Sequence, residues 1–207
     1  MKYAGNMEAV SALGPDFMGF IFYKGSKRNA GRILKTETVR RLPRSIKRVG
    51  VFVNSNEQFI AEKVKAFGFD FVQLHGEESP AFCKEIAKFV AVIKAFAVDS
   101  AFDFKSTEGY SGSCRYFLFD TKTKKHGGSG KTFDWNLLKN YKGKTPYLLS
   151  GGIGVEEVLS LVSTSQTKGS KEKMFGMAGI DVNSRVEKRP GLKDAGQLKE
   201  LLYQLRK

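Results

Sequence analysis

The feature that most constrains the fold is a series of short, mostly apolar runs separated by segments with helical spacing. These runs are rich in aromatic and β-branched residues and lie at 17–22, 49–53, 71–74, 90–96, 116–119, 147–149 and 177–180. Continuous apolar runs, unlike alternating ones, are typical of strands that are buried on both faces. Since helices usually connect parallel strands, the pattern predicts an α/β protein.

Amphipathic segments fill the intervals between the runs. Helical spacing occurs at 57–67, 80–89, 155–162 and 198–205, and the first two of these segments follow the capping residues Asn56 and Ser79. If Lys2-Tyr3 is a shortened first strand, about eight strand–helix units fit into the chain. We therefore expect an α/β fold with a single-domain (β/α)8 TIM barrel over residues 1–207. An open doubly wound sheet is disfavoured because no Gly-x-Gly-x-x-Gly motif follows the first strand.

The composition excludes several classes of protein. The chain carries 35 Lys and Arg against 21 Asp and Glu, a formal net charge of +14. We interpret its densest basic stretch, 40–48, as a solvated helix end, and nucleic acid is an unlikely partner because no RNA-recognition motif accompanies the charge. With 2 Cys and 2 His, a disulfide scaffold and a histidine-rich metal site are excluded. Without a signal peptide or an apolar run of ~18 residues, no membrane association and a cytoplasmic location are expected.

Polar residues directly after the apolar runs are the candidates for chemistry, because barrels hold their active sites at the carboxyl ends of strands. Asp120 follows the fifth run, in the place of a general acid or base, although an aspartate that caps a turn fits equally well. His75 follows the third run and can be catalytic or structural. Arg28 lies beyond the first run and could hold a carboxylate, although a surface arginine is common there.

Glycine and small polar residues follow the last two runs. Gly151 and Gly152 come after the sixth run, and Asn183 and Ser184 come shortly after the seventh, beyond Asp181. Loops after the last strands of a barrel often bind phosphate through backbone N–H groups. These four residues are therefore a candidate phosphate site, although Ser184 could equally cap a helix.

Several segments, taken together, resemble the phosphoribosylanthranilate isomerase family of tryptophan biosynthesis. They are 19–28, 48–53, 72–78, 119–122, 127–135, 149–152, 179–184 and 190–194, in family order over nearly the whole chain. The most specific is Gly-Ser-Gly-Lys-Thr-Phe-Asp-Trp at 128–135, which lacks the spacing of a Walker loop. The resemblance implies an Amadori rearrangement of N-(5-phosphoribosyl)anthranilate to the corresponding 1-deoxyribulose phosphate, without a metal or an organic cofactor.

The resemblance also implies a role for each candidate residue. Asp120 would be the general acid that protonates the ribose ring oxygen. Arg28 would bind the anthranilate carboxylate, and His75 and Asp181 would also contact the substrate. The phosphate would be held by Gly151, Gly152, Asn183 and Ser184.

The family's general base is a cysteine on the first strand, and this chain departs from that pattern. Ala4, in Lys2-Tyr3-Ala4-Gly5, occupies the cysteine's place and has no titratable group. Cys83 on the apolar face of a predicted helix and Cys114 before a strand are not expected to substitute. We therefore expect a phosphoribosyl-ligand site with impaired catalysis.

Two other interpretations remain open at this point. A lyase or aldolase of the phosphate-binding barrels needs a lysine on a strand, and Lys94 within the run 90–96 is the candidate. A non-catalytic barrel that binds a phosphorylated ligand or RNA would fit the net charge and Ala4. The expected partner is a small phosphorylated molecule, nucleic acid is an unlikely one, and the chain can be a monomer or a homodimer.

Overall fold

A sheet of seven parallel strands forms the centre of the fold. The computed structural model describes residues 1–122, 132–166 and 176–207, so residues 128–131 of the glycine-rich motif lie outside the described residues. Each strand pairs in parallel with the next one along the chain. The strands are β1 (Phe17–Ile21), β2 (Lys47–Phe52), β3 (Phe71–Leu74), β4 (Ala91–Val98), β5 (Tyr116–Thr121), β6 (Tyr147–Leu149) and β7 (Met177–Ile180). All seven apolar runs are thus strands, as the sequence predicts.

The sheet is strongly curved. Phe17, Phe71 and Tyr116 begin β1, β3 and β5. The ring centroids of Phe17 and Tyr116 are only 6.1 Å apart, whereas four steps of about 4.8 Å would separate β1 from β5 in a flat sheet. Barrels place side chains from alternate strands in one layer. These three rings form such a layer at the amino ends of the strands, inside a half-barrel.

The two faces of the sheet carry different cores. The concave face holds a small apolar cluster made of Val49, Val51, Ile93, Ala95, Leu118 and Leu148. The convex face packs a larger core against the helices, and its members include Phe52, Phe117, Phe119 and Leu149. Because successive residues of a strand point to opposite faces, Lys94 lies on the helix side of β4.

Helices surround the sheet, and most of them pack against its convex face. In the described ranges they are α1 (Ala4–Ser11), α2 (Thr36–Arg40), α3 (Glu57–Phe67), α4 (Pro80–Ile86), α5 (Val155–Gln166) and α6 (Ala195–Arg206), with 3₁₀ helices at Phe104–Tyr110, Trp135–Asn140 and Ser184–Val186. As predicted, Asn56 caps α3, since its Oδ1 accepts a hydrogen bond from Phe59 N at 2.8 Å. None of the helices in these ranges has the length and apolar character needed to cross a membrane.

The N-terminal segment differs from the prediction. Lys2 and Tyr3 form no strand, because α1 begins at Ala4. Met7 and Val10, three positions apart on α1, are buried in the main core, which favours a helix over a strand at this point. The sheet within the described residues therefore has seven strands rather than eight, and β1 and β7 are its two edges.

A small antiparallel hairpin follows β7 and has no counterpart in the predictions. It consists of β8 (Glu187–Arg189) and β9 (Leu192–Lys193), and Glu187 pairs with Lys193. Gly191 has φ of 83°, a left-handed conformation that glycine adopts without steric cost and that permits the tight turn. The hairpin brings two charged side chains, Glu187 and Lys193, to the carboxyl end of the sheet.

Candidate active site

A cavity of about 610 Å³ runs along the inside of the half-barrel and reaches the carboxyl ends of the strands. Its walls include all but one of the site residues proposed from the sequence, namely Arg28, His75, Asp120, Gly151, Gly152, Asp181, Asn183 and Ser184. They follow five different strands, β1, β3, β5, β6 and β7. Because parallel strands end at the same edge of the sheet, residues that are far apart in sequence meet here.

Asp120 and His75 are in direct contact. His75 Nε2 lies 3.3 Å from Asp120 Oδ2, and the backbone N–H of Thr121 donates to Asp120 Oδ1 at 2.8 Å. On the other side of the imidazole ring, Gln73 Nε2 lies 2.7 Å from His75 Nδ1. Gln73 and Asp120 thus hold the two ring nitrogens of His75 and fix the orientation of the imidazole in the cavity.

Gln73 is a residue that the sequence reasoning missed. It precedes His75 by two positions, so both side chains face the cavity, and Gln73 is buried. A period of two along β3, counted back from His75, is the signal that would have found it.

Asp181 shares the cavity with Asp120 but has a different environment. Ser150 Oγ donates to Asp181 Oδ2 at 3.1 Å. Desolvation by the surrounding protein raises the pKa of Asp181, and the nearby charge of Asp120 raises it further. Two carboxylates of one site are thus inequivalent, an arrangement that suits a group that exchanges protons.

Arg28 is held by Glu187, a second residue that the sequence reasoning missed. Nε and Nη2 of Arg28 lie 2.8 and 2.7 Å from Glu187 Oε2. Lys193 Nζ lies 3.3 Å from Glu187 Oε1, and the N–H of Gly191 donates to the same oxygen at 3.1 Å. Burial alone would raise the pKa of Glu187, but the hydrogen bond from Arg28 and the charge of Lys193 together lower it.

The glycine loop after β6 is built for close approach of backbone. Gly151 has φ of 93°, and a Cβ at this position would lie only 2.1 Å from Thr121 Oγ1. Gly152 has φ of 65°. No larger residue fits at Gly151, so its backbone N–H can meet a ligand without a side chain in between.

Asn183 belongs to the loop after β7, the second part of the candidate phosphate site. Lys193 Nζ donates to Asn183 Oδ1 at 2.7 Å and to its backbone oxygen at 2.8 Å. The next residue, Ser184, begins the short 3₁₀ helix Ser184–Val186. The loop that carries both residues is thus fixed by the hairpin β8–β9.

Ala4 is the one proposed site residue that the structure does not bring to the cavity. It is exposed at the first position of α1 and is absent from the cavity wall. Its placement on a first strand was therefore wrong, because the segment folds as a helix. The chain's 2 cysteines are also remote from the cavity: Cys83 and Cys114 are both buried and neither lines it.

Comparison with known proteins identifies the family. A model of the family described as N-(5'phosphoribosyl)anthranilate (PRA) isomerase matches residues 3–204. The chain belongs to this family. It is 41% identical over 207 residues to the N-(5'-phosphoribosyl)anthranilate isomerase of Parabacteroides distasonis, covering 99% of this chain and 90% of that protein. The resemblance noted in the sequence is confirmed.

Solved structures of the isomerase family share the fold. The phosphoribosyl anthranilate isomerase of Thermus thermophilus gives a TM-score of 0.82 at 25% identity, covering 100% of this chain and 95% of the other. A structure of the family in complex with reduced 1-(o-carboxyphenylamino)-1-deoxyribulose 5-phosphate gives a TM-score of 0.75 at 30% identity, with the same coverage of both chains. Both matches extend over the whole α/β fold rather than over a part of it.

Membership of the isomerase family and the position of Lys94 disfavour a lysine-dependent lyase or aldolase. Lys94 Nζ donates to Gly76 O at 2.7 Å and to Ala95 O at 2.9 Å, and it lies 3.2 Å from Glu78 Oε2. It is buried on the helix side of β4 and does not line the cavity. A lysine in this position cannot form a Schiff base with a ligand in the cavity.

Part of the basic stretch 40–48, which contributes to the net charge behind the RNA-binding alternative, is engaged within the fold. Arg40 donates to the backbone oxygens of Lys65 and Ala66 at 2.7 and 2.9 Å. Arg48 Nε lies 3.0 Å from Asp70 Oδ2. These two arginines join α2 and β2 to neighbouring elements, so part of the basic run has a structural use.

Among the residues that the structure describes, no three His, Cys, Asp or Glu side chains are grouped to hold a metal ion.

Proposed function

We propose that this isomerase-family chain converts N-(5-phosphoribosyl)anthranilate into 1-(2-carboxyphenylamino)-1-deoxyribulose 5-phosphate. The observation that carries this function is the placement of Asp120 and His75 in one cavity between Arg28 and the glycine loop. A substrate with a carboxylate at one end and a phosphate at the other needs two anion sites with acid–base groups between them. Small phosphorylated molecules are accordingly its expected partners.

Asp120 is the proposed general acid. Its protonated carboxyl gives a proton to the ribose ring oxygen, the bond from this oxygen to the first ribose carbon breaks, and the lone pair of the anthranilate nitrogen forms a C=N bond. The carboxylate left on Asp120 is stabilised by hydrogen bonds from His75 and from the N–H of Thr121. Proton transfer by a positioned carboxyl typically contributes ~10²–10⁴ in rate.

Arg28 and the loops after β6 and β7 are the proposed anion sites. Two donors of Arg28 are used by Glu187, and the edge of the guanidinium that carries Nη1 remains for the anthranilate carboxylate. Backbone N–H groups of Gly151 and Gly152, with Asn183 and Ser184, would hold the phosphate. Asp181 would bind a ribose hydroxyl.

The second proton transfer is the proposed slow step. The proton on the second ribose carbon must pass to a base, which without a cysteine at the cavity is solvent water, and the electron pair of the broken C–H bond then forms the enolamine that tautomerises to product. Ala4 has no basic group and is exposed on α1, and neither cysteine lines the cavity. Substrate deuterated at this carbon should therefore show a primary isotope effect on kcat, and a ratio near one would contradict a slow base step.

Purified protein with freshly generated phosphoribosylanthranilate tests the reaction itself. Product formation, followed by chromatography, should be lost in Asp120→Asn and greatly reduced in Arg28→Met. Circular dichroism of both variants is the control for folding, since Arg28→Met removes a partner of the buried Glu187 carboxylate. If the unchanged protein forms no product and does not bind the reduced product, the proposed function is wrong.

We propose in addition that residues 1–207 form one domain whose sheet is part of a closed (β/α)8 barrel in a cytoplasmic enzyme. The curvature between β1 and β5 supports closure. A single cooperative thermal transition is expected for one domain, and two separated transitions would contradict it. Sedimentation velocity distinguishes the two proposed states, monomer and homodimer.

A further inference from the structure

The hairpin β8–β9 supplies two buried charges, Glu187 and Lys193, that connect the loop after β1 with the loop after β7. We call Arg28, Glu187, Lys193 and Asn183 the hairpin cluster. The exposed fraction of the side chain is 16% for Arg28, 3% for Glu187 and 9% for Lys193. Because buried charges are costly unless they are paired, a cluster of this kind holds its members in one arrangement.

The contacts in the hairpin cluster run without a break from one anion site to the other. Arg28 contacts Glu187, Glu187 contacts Lys193, and Lys193 contacts Asn183, at distances between 2.7 and 3.3 Å. Arg28 follows β1, whereas Asn183 follows β7. The cluster therefore ties together two loops that belong to the two opposite edges of the described sheet.

The backbone of the hairpin is itself fixed to the rest of the fold. The N–H of Lys193 donates to Asn6 Oδ1 at 2.7 Å, and Asn6 Nδ2 donates to Lys193 O at 2.9 Å. Gly191 N donates to Glu187 Oε1. The ammonium and the carboxylate are thus held by anchored backbone, and they can in turn hold Arg28 and Asn183.

We propose that Glu187 and Lys193 are positioning residues that set the separation between Arg28 and the phosphate-binding loop. This inference rests on the proposed function of the two anion sites. A ligand with two anionic ends gains affinity only when both ends bind at the same time, so the separation of the two sites decides which ligands bind tightly. The cluster selects ligands whose carboxylate and phosphate have the spacing of phosphoribosylanthranilate, and it contacts neither reacting carbon.

Binding of three probes by calorimetry tests the proposal without depending on turnover. The probes are the reduced product, which carries both anions, anthranilate for the carboxylate end and ribose 5-phosphate for the phosphate end. In Lys193→Met and Glu187→Gln, the Kd of the reduced product should rise at least tenfold. The Kd of each single-ended probe should change less than threefold, because each site can still adapt to its own anion.

The matched control is Lys188→Met, which removes an exposed lysine from the same hairpin. It should leave all three Kd values unchanged, and Lys193→Arg should restore most of the affinity for the reduced product. In turnover, the two test variants should raise KM more than they lower kcat. If Lys193→Met does not fold, Glu187→Gln provides the same comparison, since it keeps the volume of the side chain.

The outcomes separate the two proposals. If the unchanged protein binds the reduced product and the variants bind it equally well, the positioning role is wrong and the proposed function stands. If the variants lose affinity for the single-ended probes as much as for the reduced product, they have damaged the sites themselves, and the positioning role is again wrong. If the unchanged protein binds none of the probes, both proposals fail.

Discussion

Two carboxylates at the same edge of the sheet, Asp181 and Glu187, show how partners decide the behaviour of a buried charge. Desolvation acts on both. The charge of Asp120 adds to it at Asp181, so the pKa of Asp181 is raised. At Glu187 the hydrogen bond from Arg28 and the charge of Lys193 outweigh desolvation, so the pKa of Glu187 is lowered. One region is thereby suited to proton exchange and the other to holding a fixed geometry.

The largest effect on the proton-exchanging region is expected from Asp120→Asn. Without the acid, turnover should fall by ~10²–10⁴, because an amide cannot protonate the ring oxygen. Ring opening should then limit the rate, and the isotope effect at the second ribose carbon should shrink. Steady-state kinetics with unlabelled and deuterated substrate measures both the turnover and the isotope effect. The affinity for the reduced product is the control. Turnover close to that of the unchanged protein would refute the acid role.

The hairpin cluster is tested by Glu187→Gln, which leaves Arg28 and Lys193 without a counter-charge. The free energy of unfolding at neutral pH should fall by about 3 kcal/mol, the typical cost of breaking a buried ion pair. Since the folded-state pKa of Glu187 lies below the reference value of 4.5, its stabilisation is present above pH 4.5 and is lost as the pH falls through the folded-state pKa.

Urea unfolding at several pH values checks this dependence. The difference between Glu187→Gln and the unchanged protein should disappear in acid. Lys188→Gln, on the exposed side of the same strand, should change stability little at any pH. If Glu187→Gln lowered the free energy of unfolding equally at neutral and strongly acidic pH, the charge of Glu187 would not be the cause.

Asp181→Asn sharpens the comparison, because its effect should have the opposite sign. The folded-state pKa of Asp181 is above the reference value of 3.8, so ionisation destabilises the fold as the pH rises from 3.8 through the folded-state pKa. The amide variant should therefore have a higher Tm at neutral pH and no advantage below pH 3.8.

Asp70→Asn is the matched control for Asp181→Asn. Burial would raise the pKa of Asp70, but hydrogen bonds from Arg48 and its charge lower it. The same chemical change should therefore reduce the Tm at neutral pH rather than raise it. Thermal scans followed by circular dichroism would reveal both signs, and a stabilised Asp70→Asn would contradict this account of the two carboxylates.

The smallest effect is expected from Ala4→Cys. Residue 4 is exposed on α1 and is outside the cavity, so a thiol there should leave the rate unchanged. The assay of product formation used for Asp120→Asn is sufficient. A gain in rate would mean that residue 4 reaches the substrate, and it would restore the interpretation of Ala4 as the base position.

The sequence predicted the sheet well because its information is local. An apolar run such as Phe71–Leu74 must be buried on both faces whatever surrounds it, and the caps at Asn56 and Ser79 act within three residues. Lys2-Tyr3 failed for the same reason: two residues carry too little pattern to distinguish a strand from the approach to a helix.

The candidate site was predictable only as far as strand ends could be recognised. Asp120 and His75 follow apolar runs directly, but the partner of Arg28 lies 159 residues away, on the short hairpin that joins β8 and β9. No hydrophobic periodicity in the sequence predicts this contact, because it depends on where β8 folds against the ends of the strands. Lys94 was considered for its chemistry alone, whereas the alternation of side chains along β4 places it on the wrong face.

That alternation along β4 also has a consequence for redesign. Ile93 faces the cavity, whereas its neighbour Lys94 binds Glu78 and the backbone oxygens of Leu74, Gly76 and Ala95. An amine nucleophile for new chemistry would have to be installed by Ile93→Lys, and Lys94 could keep its contacts unchanged. Two neighbouring residues of one strand thus differ in what they tolerate: Ile93 can be substituted to introduce new chemistry, whereas Lys94 must be kept for its structural contacts.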